Sequence, residues 1–349
     1  MNKIFEIKND TEFNALALKI FFLQAEKNVV YKNFLKQLKI QPKSTSDIKD
    51  IHFLPIEFFK KHRIEDRRRK AEDGTQNDGL RHFVRRRQKL FLSSGTTGTN
   101  RSRHYVSDIS LYEKSFTKCF ELFYGNIEDY CLIGLLPSYM ENKNSSLIYM
   151  TNHLIKKTKN KDSGFYLNNY EKLSKKLELL EGRKQKTILI GVSYALLDFA
   201  EKFPIKLKHT IIMETGGMKG RPRFLSGSGH GGGEMIREEL HHRLCNAFGI
   251  KNIYSEYGMT ELLSQAYSGG KGIFHCPPWM KIIIRDTNDP FKIMENGLAG
   301  GINVIDLANI NSCSFIATQD LGKLYSDGSF EVLGRFDNSD VRGCNLLVG

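Results

Sequence analysis

The sequence predicts an α/β protein that closes with a run of short strands, and three observations carry that prediction. Apolar runs at Cys131 to Leu136, Thr187 to Val192 and Thr210 to Met213 have the length and side-chain content of buried strands. Helix-like stretches separate them, an alternation that argues for layered α/β structure with a mostly parallel sheet. From Trp279 onward the pattern changes to Lys281 to Arg285, Gly301 to Ile305, Ser314 to Ala317 and Ser329 to Leu333. Turn signals at Glu295-Asn296-Gly297 and Ser326-Asp327-Gly328 punctuate these segments, so the end of the chain reads as all-β, a small distorted barrel against the core.

Taken in order, residues 11 to 38 place Phe13, Leu16, Leu18, Ile20 and Phe21, then Val29, Val30, Phe34, Leu35 and Leu38, at helical spacing. Asp10 or Thr11 is the expected cap. Pro42 to Ser46 is a turn. Residues 65 to 88 are polar, with Asp73-Gly74 and Asp78-Gly79 turn signals, and read as a long loop. Leu90-Phe91-Leu92 is a strand end, and Asp108 to Tyr124 a helix. Residues 221 to 233, Arg-Pro-Arg-Phe-Leu-Ser-Gly-Ser-Gly-His-Gly-Gly-Gly, have linker composition. No strand leads into that glycine run, which argues against a phosphate cradle there.

Composition is that of an ordinary globular chain of 349 residues, with 40% hydrophobic and 26% charged residues, enough for a sizeable core. No continuous apolar stretch opens the chain, and the longest, Ile188 to Leu197, is too short for a bilayer. Six cysteines lack paired spacing, so neither a zinc site nor a disulfide framework is indicated, and a cytoplasmic location with reduced thiols is expected. Much of the +13 formal charge falls in Lys60 to Arg69 and Arg81 to Lys89. With only Phe83 interleaved, this reads as a solvated basic surface and not as a nucleic-acid site.

Two motifs carry chemistry. Ser93-Ser94-Gly95-Thr96-Thr97-Gly98 follows the strand end; its glycines let backbone approach an anion and its hydroxyls add donors. Tyr257-Gly258-Met259-Thr260-Glu261 sets a hydroxyl beside a carboxylate, able to contact a phosphate and Mg²⁺. Neither is a Walker loop, because no Gly-Lys-Ser/Thr follows the glycines. Ligands in open α/β sheets sit at the carboxyl ends of strands, where Ser93, Glu214 and Tyr257 are expected.

This pair resembles the adenylate-forming superfamily of acyl and aryl ligases, and the chain is similar within it to LuxE-like acyl-protein synthetases, activators of long-chain fatty acids. The closer resemblance rests on Leu54-Pro55-Ile56-Glu57-Phe58-Phe59, the first loop extended through Ser102 and His104, and Leu136-Pro137-Ser138-Tyr139. It continues in Glu214-Thr215-Gly216-Gly217-Met218-Lys219-Gly220, Cys276-Pro277-Pro278-Trp279-Met280, and Gly334-Arg335-Phe336-Asp337-Asn338-Ser339-Asp340-Val341-Arg342-Gly343-Cys344. These stretches are collinear over nearly the whole chain. The resemblance implies one synthetase domain over 1–349: an adenylate-forming α/β core at 1–275, with the loops 65–88 and 221–233, and a β-rich part at 276–349. It implies a large N-terminal domain without the mobile C-terminal lid of the larger ligases.

The roles that follow are implied by the resemblance. Ser93, Ser94, Gly95, Thr96, Thr97 and Gly98 would hold the β and γ phosphates of ATP, with Tyr257 and Gly258 bordering the nucleotide. Thr260 would contact the α-phosphate and Glu261 would bind Mg²⁺. Gly216 and Gly217 would line the adenine pocket, Asp320 would bond the ribose hydroxyls and Arg335 would add a ribose or phosphate contact. Cys344 would receive the acyl group, its thiolate favoured by Arg342 nearby. Lys219 and His104 are candidates for positive charge near the phosphates. Cys119, Cys131, Cys245 and Cys313 read as small core residues. The acyl pocket is expected around Tyr139, Met150 and Met218.

The implied activity is ATP- and Mg²⁺-dependent activation of a fatty acid, then transfer to a cysteine for a partner such as a fatty-acid reductase. Two alternatives stay open. One is transfer to coenzyme A or a carrier protein. The other is a nucleotide-binding scaffold without catalysis, which the two extra loops favour and Thr260, Glu261 and Asp320 oppose.

Overall fold

The computed structural model describes residues 2–65, 88–94, 101–137, 144–167, 169–216 and 236–335. The basic stretch, the glycine-rich linker and the C-terminal motif around Cys344 lie largely or wholly outside these residues.

The N-terminal apolar positions fall on two helices, Asp10–Lys27 and Val29–Gln37. Asn9 caps the first by accepting from the Glu12 N–H at 2.9 Å, so the cap lies one residue before Asp10 and two before Thr11, the expected positions. Asn28 makes the break. Its Oδ1 accepts from the Tyr31 N–H at 3.1 Å, while its Nδ2 donates to Ser312 O at 2.8 Å, a partner 284 residues away. Gln24 adds a second tie, donating to Asn309 O and accepting from the Ser314 N–H, at 3.1 and 3.0 Å. The first helix is thereby fixed to the segment 309–314, which borders the candidate site.

Strands follow in chain order as β1 (Leu54–Pro55), β2 (Lys89–Leu92), β3 (Arg103–Val106), β4 (Cys131–Leu135), β5 (Gly164–Phe165), β6 (Thr187–Val192) and β7 (Thr210–Thr215). They continue as β8 (Tyr254–Tyr257), β9 (Ala266–Ser268), β10 (Ile273–His275), β11 (Met280–Arg285), β12 (Ala299–Asp306), β13 (Phe315–Leu324) and β14 (Phe330–Arg335). The main sheet runs β11-β12-β13-β14-β10-β9-β8-β7-β6-β4-β5, with β1 added parallel to β13. From β5 to β8 the pairing is parallel; from β8 outward through β9 it is antiparallel. The β-rich end therefore continues the parallel sheet edge to edge.

The parallel strands are buried on both faces, which explains their unbroken apolar runs. Alternation is still visible in which core each side chain enters. Ile188 and Ile190 of β6 join one cluster with Met150, Phe116 and Met213. Leu189 joins the opposite cluster with Leu196, Phe199 and Leu244, from the helices Ser193–Lys202 and Arg237–Phe248; Val192, at the strand's end, departs from the alternation and joins it too. Cys119, Cys131 and Cys313 are buried as expected, and Cys245 is half-buried. Among the described residues, no helix is long and apolar enough to cross a membrane.

Candidate active site

The first motif sits on a hairpin. β2 and β3 pair antiparallel from Lys89↔Val106 to Leu92↔Arg103, as a two-stranded sheet separate from the main one. Ser93 N–H donates to Ser102 O at 3.1 Å, and the Ser102 N–H donates back to Ser93 Oγ at 3.0 Å. This pair closes the base of the loop between them, so Ser93 is a clasp at the loop's root. Ser94 follows it, exposed. Gly95, Thr96, Thr97 and Gly98 lie outside the described residues. Ser93 does follow a strand, but that strand is not part of the parallel sheet, which corrects the expected placement.

The second motif begins at the seam between parallel and antiparallel pairing. Tyr257 ends β8, and its ring lies edge-on to Phe274 and Phe330. Its hydroxyl donates to Asp320 Oδ2 at 2.9 Å. Burial, then the Asp320 charge, raises the phenol well above its ordinary range, so it stays a donor. Asp320 faces Arg335 across β13 and β14. The Arg335 guanidinium donates to Gln319 Oε1 at 2.8 Å, and the Gln319 amide in turn bonds Glu57 from the segment after β1. Glu57 was noticed in the sequence only as part of a motif; here it anchors the chain that orients Arg335.

Thr260 and Glu261 occupy a turn after β8 and start no helix. Several residues far apart in sequence hold that turn. Asp306, wholly buried at the end of β12, accepts from the Leu263 and Ser264 N–H groups at 2.8 and 3.0 Å. It also takes the Ser264 hydroxyl at 2.6 Å and the Ala308 N–H at 3.1 Å. Asn309 Nδ2 donates to Glu261 O at 2.7 Å, and His104 Nδ1 lies 2.8 Å from Thr260 O. Sequence reading missed Asp306 and Asn309. Nothing beside them in the sequence marks them: Asp306 closes an apolar strand and is followed by the apolar Leu307 and Ala308.

Glu261 is 5% exposed. Burial raises its carboxyl, while bonds from the Ser102 hydroxyl and its own N–H, and the Arg335 charge, lower it; Asp320 pushes it further up. The net direction is upward, so this carboxylate holds its charge poorly without a further cation. That suits an oxygen ligand for Mg²⁺, which binds through one or two carboxylates together with substrate phosphates. Ser102 bears on both motifs: its backbone clasps the hairpin root, and its hydroxyl is among the groups that lower the Glu261 carboxyl.

His104 corrects a sequence expectation. It is wholly buried, and burial drives its pKa down to about 4, only partly offset by the bond to Thr260 O. It is neutral at pH 7 and supplies no charge to a phosphate. Lys219, the other candidate, lies outside the described residues, as do Gly217 and Cys344.

At the end of β7, Glu214 is buried against the Arg237 Nε at 3.1 Å, His241 Nε2 at 3.4 Å, and the Ser193 and Ser255 hydroxyls at 2.7 and 3.1 Å. Burial raises its carboxyl, but His241, Arg237 and Ser193 together outweigh that and hold it below its ordinary range. Gly216 follows at φ +71°, a conformation suited to glycine, with its carbonyl 2.9 Å from Ser193 Oγ. The neighbouring Glu256 bonds the Thr215 hydroxyl, and burial lifts its pKa to about 7. A Cβ at Gly258 would stand 2.3 Å from Glu256 Oε1, so a side chain there has to displace that carboxyl. Of the residues expected from sequence, Ser93, Thr260, Glu261, Tyr257, Asp320 and Arg335 thus belong to one connected set. Gly216 and Gly258 border it through the ends of β7 and β8.

No protein-family model and no curated protein matches this chain. Solved structures do. ATP-bound MatB from Rhodopseudomonas palustris aligns over 70% of this chain and 47% of its own, at 18% identity and a TM-score of 0.52. A 2-hydroxyisobutyryl-CoA ligase, in complex with 2-HIB-AMP and CoA in the thioesterification state, aligns over 94% of this chain and 68% of its own, at 12% identity and 0.61. The fold is that of the adenylate-forming ligases. The chain spans about half the length of the MatB chain it matches. At these identities the likeness concerns the fold.

Proposed function

We propose that this chain is an ATP-dependent ligase that activates a carboxylic acid as its acyl-adenylate. The observation that carries the proposal is the meeting of the two motifs: His104 of β3, on the hairpin, reaches Thr260 O at 2.8 Å, and Glu261 follows at once, near the Tyr257–Asp320 pair and Arg335. The fold shared with an ATP-bound ligase and with one holding 2-HIB-AMP supports it.

In the reaction a carboxylate oxygen of the acid attacks the α-phosphorus of ATP. The bond from that phosphorus to the bridging oxygen breaks, and pyrophosphate leaves with the electron pair. Two anions must meet, so the site has to supply oriented donors and positive charge. The hairpin loop would bind the outer phosphates and Thr260 the α-phosphate. Asp320, fixed by Tyr257, would accept from the ribose hydroxyls, and Gly216 would leave room for the base. Glu261 would hold Mg²⁺, which neutralises charge on the leaving pyrophosphate.

The resemblance in the sequence further points to a long-chain fatty acid, with the acyl group then passed to the Cys344 thiolate. In that step the thiolate attacks the acyl carbon and AMP departs, leaving a thioester for a partner such as a fatty-acid reductase. Transfer to coenzyme A is the second reading, favoured by the match of 94% of this chain to a ligase bound to CoA.

The test is to incubate the protein with ATP, Mg²⁺ and a labelled long-chain acid, alongside Cys344→Ser. Pyrophosphate release with hydroxylamine-labile label, lost in the variant, is the expected result. Release without label transfers the acceptor to coenzyme A or a carrier. No release with any acid leaves the nucleotide-binding scaffold and removes the ligase.

A further inference from the structure

Two buried side chains hold adjacent carbonyls of the Thr260-Glu261 turn from behind. A carbonyl oxygen only accepts, so the 2.8 Å contact from His104 Nδ1 to Thr260 O places the hydrogen on Nδ1. The ring is neutral, and its lone pair is therefore on Nε2. By the same reasoning, the Asn309 Nδ2 bond to Glu261 O at 2.7 Å fixes the amide orientation and leaves Oδ1 as an acceptor. His104 Nε2 and Asn309 Oδ1 are both buried, and neither has a hydrogen-bond partner among the described residues. A buried acceptor without a donor is costly enough to be rare.

Both residues line one cavity of about 10 Å³, room for a single water molecule. Ser312, on the same wall, has its hydroxyl directed to Ile64 O at 3.3 Å and so is not the missing donor. Two unpartnered buried acceptors on residues that line one small cavity match the two hydrogens of one water. We propose that His104 and Asn309 are positioning residues for the Thr260-Glu261 turn, joined behind it by one bound water that donates a hydrogen bond to each.

The arrangement assigns His104 a task that charge could not perform. Phe59 packs edge-on against the ring with centroids 5.5 Å apart, and β3 carries the ring from the phosphate hairpin to the turn. The hairpin and the Thr-Glu pair are then held in fixed relation before any ligand arrives. The consequence for nucleotide binding rests on the function proposed above; the clamp itself does not.

The closing experiment uses the full chain with ¹⁵N-labelled histidine. One of the ten rings should show a protonated Nδ1 and a bare Nε2 at pH 7, and its signal should vanish in His104→Asn. An Nε2–H tautomer or a charged ring overturns the proposal. Crystallographic density for a water roughly 3 Å from both Nε2 and Oδ1 is expected, and a dry cavity overturns the water. An ATP analogue with a methylene between the α and β phosphates then reads the turn. Asn at 104 can present a donor where Nδ1 stood and should retain wild-type affinity, whereas His104→Phe should weaken binding about tenfold. Equal affinity in the Phe variant overturns the positioning role. If that variant does not fold, the spectrum and the Asn variant still decide. A wild-type protein that binds no nucleotide would defeat the ligase reading, while spectrum and density would still judge the clamp.

Discussion

Glu214 and Glu261 are both buried glutamates near the carboxyl ends of strands, and their surroundings drive them in opposite directions. Glu214 faces Arg237, His241, Ser193 and Ser255, enough donors to hold its carboxyl below the ordinary range despite burial. Glu261 has the Ser102 hydroxyl, its own N–H and a more distant Arg335, and its carboxyl stays raised. A buried charge that the protein itself satisfies is a fastening. One that it leaves under-satisfied is prepared for a ligand of opposite sign. The difference separates the corner that builds the sheet from the turn proposed to perform chemistry.

The contrast can be broken most directly at Glu214. Glu214→Ala leaves the Arg237 charge facing an emptied polar pocket and should destabilise the fold by about 3–5 kcal/mol, read as a lowered denaturant midpoint. A change below about 1 kcal/mol would mean the fastening is ornamental. Glu261→Gln should do the reverse. Its midpoint should stay at or above that of the wild type, while pyrophosphate release falls on the order of 100-fold or more. A variant that lost stability in step with activity would make Glu261 a second fastening and erase the contrast.

Acid stability sharpens the same comparison on the neutral side of the turn. His104 is held near pKa 4 in the fold against about 6.5 in the unfolded chain. Between these values only the unfolded state takes the proton, so stability falls as pH drops from about 6.5 to about 4. His104→Asn removes that contribution. Relative to the variant, wild type should lose up to roughly 3 kcal/mol by pH 4. Glu256, raised to about 7, acts with the opposite sign: between about 4.5 and 7 only the folded state keeps the proton, so its contribution to stability falls as pH rises. The difference between the two pH profiles, and not either alone, is therefore the measurement. The smallest expected effect is at Asn9, where Ala should cost about 1 kcal/mol through loss of the helix cap, visible as a few degrees in Tm.

What the sequence disclosed divides along contact distance. The strands β4, β6 and β7 were legible because burial on both faces leaves an uninterrupted apolar run in one short window. The two motifs stood out because each groups hydroxyls with glycine or a carboxylate in a short window, and the structure joins the hairpin of the first to the turn of the second through the His104 contact with Thr260 O. The break at Asn28 was not, since its reason is Ser312 O, 284 residues along. His104 was misjudged as a charge because its neutrality comes from burial beneath a turn 156 residues away. Asp306 and Asn309 were silent for the same reason: nothing adjacent to them marks them as supports for Glu261. The pairing of β1 with β13, Leu54 to Ile316, likewise has no local signature.

Gly258 carries a consequence for how this turn can change over time. Its missing Cβ is occupied in effect by the Glu256 carboxyl, 2.3 Å from where that carbon would stand. A side chain at 258 has to push the Glu256 carboxyl aside and with it the bond from the Thr215 hydroxyl, and shortening Glu256 alone gives up the same bond. The two positions are therefore an epistatic pair, whose effects do not add. Lineages or libraries that sample one position at a time meet the lost Thr215 bond at the first step, while a second exchange at the partner position adds little to that loss.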